Sequence, residues 1–265
     1  MKKYALLDTD FISKTYSIRD GNDKHLIDLV MELPYEFFCH AQIVNELNQY
    51  NVGAPKWLKR KIKTKKIKSY TDLEILESLS LLRGPLACVT YTQMLKLACD
   101  VFSKTYFPKY YQALELVDYE TISVEDYLKE LELFDSEVGK KNNIGEIKSF
   151  VLLQALSIMF GEQIYIFCSD DKDARNGATN FEDVCCISLV SVFSRLKEEI
   201  NWTIDDAKPY IESLVMFYQN HNQITFRVME ASEVRRLQQV PCRQVLEEIF
   251  AGKFIELKNG MLRYK

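Results

Sequence analysis

The sequence predicts an α/β fold: a parallel-sheet domain carrying a helical insertion, followed by a small C-terminal α+β domain. Three observations point there. Tyr4-Ala5-Leu6-Leu7 is an unbroken apolar run bounded by Lys2-Lys3 and by Asp8-Thr9-Asp10, the pattern of a strand buried on both faces, with a buried helical turn as the alternative that periodicity leaves open. Ile164-Tyr165-Ile166-Phe167-Cys168 repeats that pattern and again ends in polar residues, Ser169-Asp170-Asp171-Lys172-Asp173. Near Asn201-Trp202-Thr203 the character of the chain changes, which divides it into a domain of 1–200, with an insertion over about 51–141, and a domain of 203–265.

Composition narrows the class. A chain of 265 residues that is 47% apolar buries a core and is globular throughout. Its net charge of −4 gives no general attraction to nucleic acid, yet Lys56–Lys68 holds eight basic residues and no acid, leaving −12 elsewhere. Seven cysteines without CxxC spacing, and only three histidines, speak against a disulfide scaffold or a structural zinc. No apolar signal core opens the chain and no run approaches a membrane span, so a reducing cytoplasm and no membrane partner are the expectation.

In chain order, helices are expected over Phe11 to Ile18 and Lys24 to Leu33, a strand over Tyr35 to Cys39, and a helix over Ala41 to Leu47 with Glu46 at the edge of its apolar face. The basic segment has too few apolar residues to bury an element and reads as mostly wet. Thr71 with Glu74 forms a capping-box pattern for a helix through Leu82, ended by Gly84-Pro85. Further helices are expected over Thr90 to Phe102, Lys109 to Leu116 and Val124 to Phe134. Gly145-Glu146 opens a strongly apolar helix that runs to Phe160, and Gly161 ends it. After the strand Ile164 to Cys168 come a turn at Asn176-Gly177, a short strand within Val184 to Val190 and a helix over Ser191 to Ile200. The tail reads as a helix Asp205 to Gln219, a strand Ile224 to Met229, helices Ser232 to Gln238 and Pro241 to Ala251, and a hairpin turned at Lys258-Asn259-Gly260. That order resembles a winged helix.

The acids form a pattern of their own: Asp8-x-Asp10 after a strand, Glu46 on a helix, Glu146 at a helix start, and Asp170-Asp171-x-Asp173 after a second strand. Leu7-Asp8-Thr9-Asp10, Val44-Asn45-Glu46-Leu47, Gly145-Glu146 and Ser169-Asp170-Asp171-Lys172-Asp173 together resemble the PIN-domain nucleases over the first three quarters of the chain. The stretch between Tyr50 and Asn142 is longer than that family's simple pattern provides. The resemblance implies a PIN-like domain and a metal-dependent ribonuclease, with Asp8, Glu46, Glu146 and Asp171 as the catalytic group. It implies Mg2+ or Mn2+ bound through Asp8, Glu146 and Asp171, with Asp10, Asp170 and Asp173 as further ligands. Hard divalent cations take oxygen ligands, and Ser169 and Thr9 would add hydroxyls for water or phosphate.

Each feature has a plainer role when taken singly. Acids after strands cap helices, Glu146 complements a helix dipole, and a lysine run is often a solvated face. The functional reading of Lys56, Lys59, Arg60, Lys61, Lys63, Lys65, Lys66 and Lys68 is contact with the phosphates of RNA, single-stranded or structured, with DNA as the other polymer. The rival readings are a non-catalytic nucleic-acid-binding module on the same fold, and a regulatory protein that acts through a protein partner or a second copy of itself. In the tail, Arg243 and Gln244 would face a groove, but Glu247 and Glu248 oppose that.

Overall fold

The computed structural model describes residues 1–50, 53–102, 114, 117–139, 144–222, 224–232 and 236–265. The expected first strand forms as β1 (Lys3–Leu7), and its side chains alternate between two apolar clusters, Ala5 and Leu7 in one, Tyr4 and Leu6 in the other. After it come α1 (Thr9–Ser17), α2 (Leu26–Val30), β2 (Glu36–His40), α3 (Gln42–Tyr50), α4 (Ala54–Lys63), β3 (Ile67–Tyr70), α5 (Asp72–Arg83) and α6 (Ala87–Phe102). Then follow α7 (Val124–Gly139), α8 (Ile144–Phe160), β4 (Ile164–Cys168), α9 (Lys172–Ala178), β5 (Val184–Ile187) and α10 (Ser191–Ile200). The five strands pair in the order β3-β2-β1-β4-β5, all parallel. The order reverses between β1 and β4, and a crevice beyond the carboxyl ends of strands at such a reversal is where open α/β sheets place ligands.

The two apolar clusters are the two faces of this sheet. One is covered by α1 to α4 and α10, the other by α5 to α9. α8 lies centrally in the second, with Ile147, Phe150, Val151 and Leu152 fully buried, as its apolar sequence requires. All seven cysteines are free thiols, and all but Cys185 are buried. Among the described residues no helix is long and apolar enough to cross a membrane.

Several expectations need correction. The basic segment is mostly exposed, as read, but it does form elements: α4, which buries Trp57 and Leu58, and edge strand β3. The insertion therefore supplies the outermost strand of the sheet as well as helices. An edge strand needs little apolar surface, and β3 buries only Ile67, so its pattern was too thin to read. Asn176-Gly177 lies inside α9 rather than in a turn. The expected helix Lys109 to Leu116 lies outside the described residues except for Leu114.

The tail comprises α11 (Ile204–Asn220), β6 (Thr225–Met229), β7 (Leu237–Pro241), α12 (Cys242–Phe250), β8 (Phe254–Glu256) and β9 (Leu262–Tyr264), with a mixed sheet ordered β7-β6-β9-β8. Leu237 and Gln238, expected at the end of a helix, lie in β7 instead. Gln-rich sequence favours helix, but pairing with β6 from Thr225↔Pro241 to Met229↔Leu237 overrides that local preference. Leu214, Val245 and Leu262 share one apolar cluster with Ala5 and Leu7. The β8–β9 turn docks tightly on the end of β5: the Cys186 N–H donates to the Lys258 carbonyl at 2.7 Å. Gly260 has φ of 71°, and a Cβ there would stand 3.0 Å from the Cys186 carbonyl oxygen and the Ser188 nitrogen, so only glycine fits.

Candidate acidic site at the sheet reversal

Asp8 follows β1 directly, and its backbone N–H donates to the Cys168 carbonyl at 3.0 Å, which fastens it to the end of β4. Its carboxylate is 1% exposed. Oδ2 accepts from the Ser169 hydroxyl at 3.0 Å, whereas Oδ1 is buried with no hydrogen-bond partner among the described residues. Burial first, and the neighbouring Glu146 carboxylate second, hold the Asp8 carboxyl well above the usual range. An orphaned buried carboxylate oxygen is costly unless something outside the protein satisfies it.

Glu46 comes from α3, whose Ile43 and Leu47 anchor it in the core. Its Oε2 accepts from the Thr9 hydroxyl at 2.6 Å, and the Gly145 N–H donates to the same carboxylate. A Cβ at Gly145 would lie 2.0 Å from Glu46 Oε2, so this carboxylate reaches the start of α8 only because position 145 is glycine. Glu146 is next in the chain. Burial pushes it up to about 7, assisted by Glu46, Asp171 and Asp10, and opposed by a hydrogen bond from its own N–H. Carboxylates carried by β1, α1, α3, α8 and the β4–α9 junction thus share one electrostatic neighbourhood.

The remaining acids are disposed differently. Asp171 is exposed and caps α9, Oδ1 accepting from the Ala174 N–H at 2.7 Å. Asp10 and Asp170 are both engaged by Lys14, at 2.8 and 2.7 Å, and Asp170 also accepts from the Leu189 N–H at 3.2 Å. Asp173 is exposed in the first turn of α9 and makes no hydrogen bond or ion pair among the described residues. Among those residues, no group of three or more His, Cys, Asp and Glu side chains is arranged to hold a metal ion as it stands. The donor chemistry still fits a hard divalent cation: the site offers carboxylate oxygens alone, one of them buried and unsatisfied.

Sequence reasoning missed two features. Lys14 follows Asp10 by one helical turn, a spacing that places both on one face of α1 and that gave the available signal. The second feature is a buried charged network on the other side of α8. Lys148, 1% exposed, binds Asp72 at 3.0 Å and Asp135 at 2.9 Å, and its ammonium lies 3.3 Å from the Tyr91 hydroxyl. His40 Nδ1 accepts from the Gln42 N–H at 3.2 Å, and its Nε2 stands 3.3 Å from Asp72. Burial alone would raise the Asp72 carboxyl; Lys148 first, then His40 and Tyr91, outweigh it and hold the group well below the usual range.

Part of the basic segment lies away from the acids. Because β3 is parallel to its neighbours, Thr64 to Lys66, which precede it, lie at the end of the sheet opposite Asp8. Lys63 ends α4, and the turn after it folds back on the helix, the Lys65 N–H donating to the Ile62 carbonyl and the Lys66 N–H to the Lys61 carbonyl, each at 2.9 Å. Lys61 pairs with Asp28 at 2.9 Å and Lys68 with Glu36 at 2.8 Å, while Lys56, Lys59 and Arg60 are exposed on α4. Trp57 is buried, its indole N–H donating to Asp28. Arg243 stands 4.0 Å from Glu212, and Gln244 donates to Glu248 at 3.2 Å, so both tail residues are engaged within the tail. No family model, no curated protein and no solved structure matches the chain.

Proposed function

We propose that the chain is a metal-dependent nuclease that hydrolyses RNA on a PIN-like fold, with Asp8, Glu46, Glu146 and Asp171 as its catalytic group. The observation that carries this reading is the Asp8 oxygen Oδ1, buried without a partner beside Glu146 at the sheet reversal. Asp8 and Glu146 would hold the ion, with Asp171 reaching it by its uncommitted oxygen. Glu46 is oriented for this by the Thr9 hydroxyl and the Gly145 N–H. Magnesium or manganese held there supplies a bound water of lowered pKa and offsets charge on the leaving oxygen. Lys14 keeps Asp10 and Asp170 in place and tempers the negative field around the group.

The test is cleavage of an end-labelled RNA with Mn2+ and with Mg2+. Asp8→Asn and Glu146→Gln are expected to abolish it while thermal unfolding stays cooperative. Full cleavage by either variant contradicts the assignment. A second reading, a nucleic-acid-binding protein without turnover, is favoured by the lack of a ready three-carboxylate group among the described residues. It predicts binding of RNA that persists in both variants and no metal-dependent cleavage by the wild type.

A further inference from the structure

A cavity of about 190 Å³ opens between α11, β6 and the β8–β9 hairpin, and it reaches Asp170 at the margin of the acidic site. Its interior is apolar, with Val228 and Leu262 buried. Phe226 is half-buried there and meets Tyr218 edge to face, the ring centroids 5.1 Å apart and the planes at 86°. At the rim Lys172 and Arg227 are exposed, and neither has an ion-pair partner among the described residues.

We propose that this cavity receives one unstacked base of a single-stranded nucleic acid whose adjoining phosphate lies at the acidic site. The inference rests on the nuclease reading and adds the substrate class to it. Size comes first: the space is below the roughly 300–1,000 Å³ of clefts for drug-sized ligands, so it suits one ring system. Chemistry comes second. Aromatic faces beside free cations are what sequence-tolerant binding of single strands uses, the rings for bases and the cations for phosphates. Charge comes third: Lys172, Arg227 and the buried Arg175 outnumber Asp170, the one acid of the lining, and Asp170 is already engaged by Lys14. Arg175 is fixed as part of the wall, donating to the Ser169 carbonyl at 2.9 Å and to the Asn259 carbonyl at 3.0 Å. A base inside a duplex stack cannot enter such a space, so the substrate is single-stranded where it is bound.

The experiment measures fluorescence anisotropy of a labelled single-stranded RNA 12-mer on the full chain in EDTA, beside a duplex of the same sequence and with adenosine monophosphate as competitor. The single strand is expected to bind at least about tenfold more tightly than the duplex. Phe226→Ala and Arg227→Glu should each weaken it about tenfold. Arg227→Glu should also lower the salt slope by about one phosphate contact. Arg227 and Lys172 are exposed, so Arg227→Glu and Lys172→Glu test the cavity even if Phe226→Ala fails to fold. Competition by the free nucleotide that is lost in Phe226→Ala assigns the base to the cavity. Equal affinity for duplex and single strand, no binding, or wild-type affinity in all three variants overturns the proposal. Cleavage with Mn2+ is read separately. Cavity-dependent binding without cleavage removes the nuclease and keeps the subsite, whereas cleavage with indifferent variants removes the subsite and keeps the nuclease.

Discussion

Glycine at 145 is a residue-scale choice with a functional consequence. Replacing it by alanine would drive Cβ into the Glu46 carboxylate, which is the far end of a flexible side chain and can swing away. Alanine also favours helix. Gly145→Ala is therefore expected to leave the unfolding midpoint unchanged or slightly raised while it lowers metal-dependent cleavage sharply. Urea denaturation alongside an activity assay checks the split, and full activity would mean that the position of Glu46 is irrelevant. Asp8, Glu146 and Glu46 were legible in the sequence because each stands at an element boundary or edge that periodicity locates. The spacing of Asp10 and Lys14 was there to be read, but the engagement of Asp170 by Lys14 was not, because it brings together residues from different elements.

At the scale of the element, α5 and α8 show how far local signals reach. The capping box of α5 forms as read, Thr71 and Glu74 exchanging hydrogen bonds, and Thr71→Ala should cost about 1 kcal/mol in denaturation. On α8 the apolar run declares a buried helix, yet Lys148 within it is buried as well. Its partners Asp72 and Asp135 come from α5 and α7, and a pattern along one helix does not disclose what faces it. Lys148→Ala leaves two half-buried carboxylates without their cation and should destabilise the protein by about 3 kcal/mol, the low end for breaking a buried pair, measured by urea denaturation. A loss below about 1 kcal/mol would mean that the network opens to water. Asp72, held low, contributes stability above the ordinary carboxylate range, and that contribution is lost as pH falls through and below it. The strand β3 is the opposite case, since one buried isoleucine was too weak a signal for an edge that its neighbour β2 recruits.

For the whole molecule, the parallel sheet was legible through its two apolar strands, and the reversal between β1 and β4 explains why acids so far apart in sequence share one electrostatic neighbourhood. The tail was harder to read because β7 is made by pairing rather than by composition. Its hairpin closes one side of the cavity beside Asp170, so the tail belongs to the setting of the site. The acids also set a pH dependence of opposite sign to that of Asp72. Glu146 rises from 4.5 to about 7 on folding, so the folded chain holds the proton that the unfolded chain has released between these values. Without metal, the contribution of this site to stability should decline as pH rises from about 4.5 to about 7, and Glu146→Gln should reduce that decline while Asp8 keeps its own share. Thermal unfolding against pH measures it.

The measurement that bears most directly on the account is calorimetric titration of the full chain with Mn2+ near pH 8, repeated on Asp8→Asn and on Glu146→Gln. Carboxylates that bind metal must first give up their protons, so wild-type affinity should strengthen from about pH 5 to about pH 8. Both substitutions should abolish the binding. Mn2+ bound equally well by the wild type and by the two variants would contradict a divalent-cation site at the end of β1.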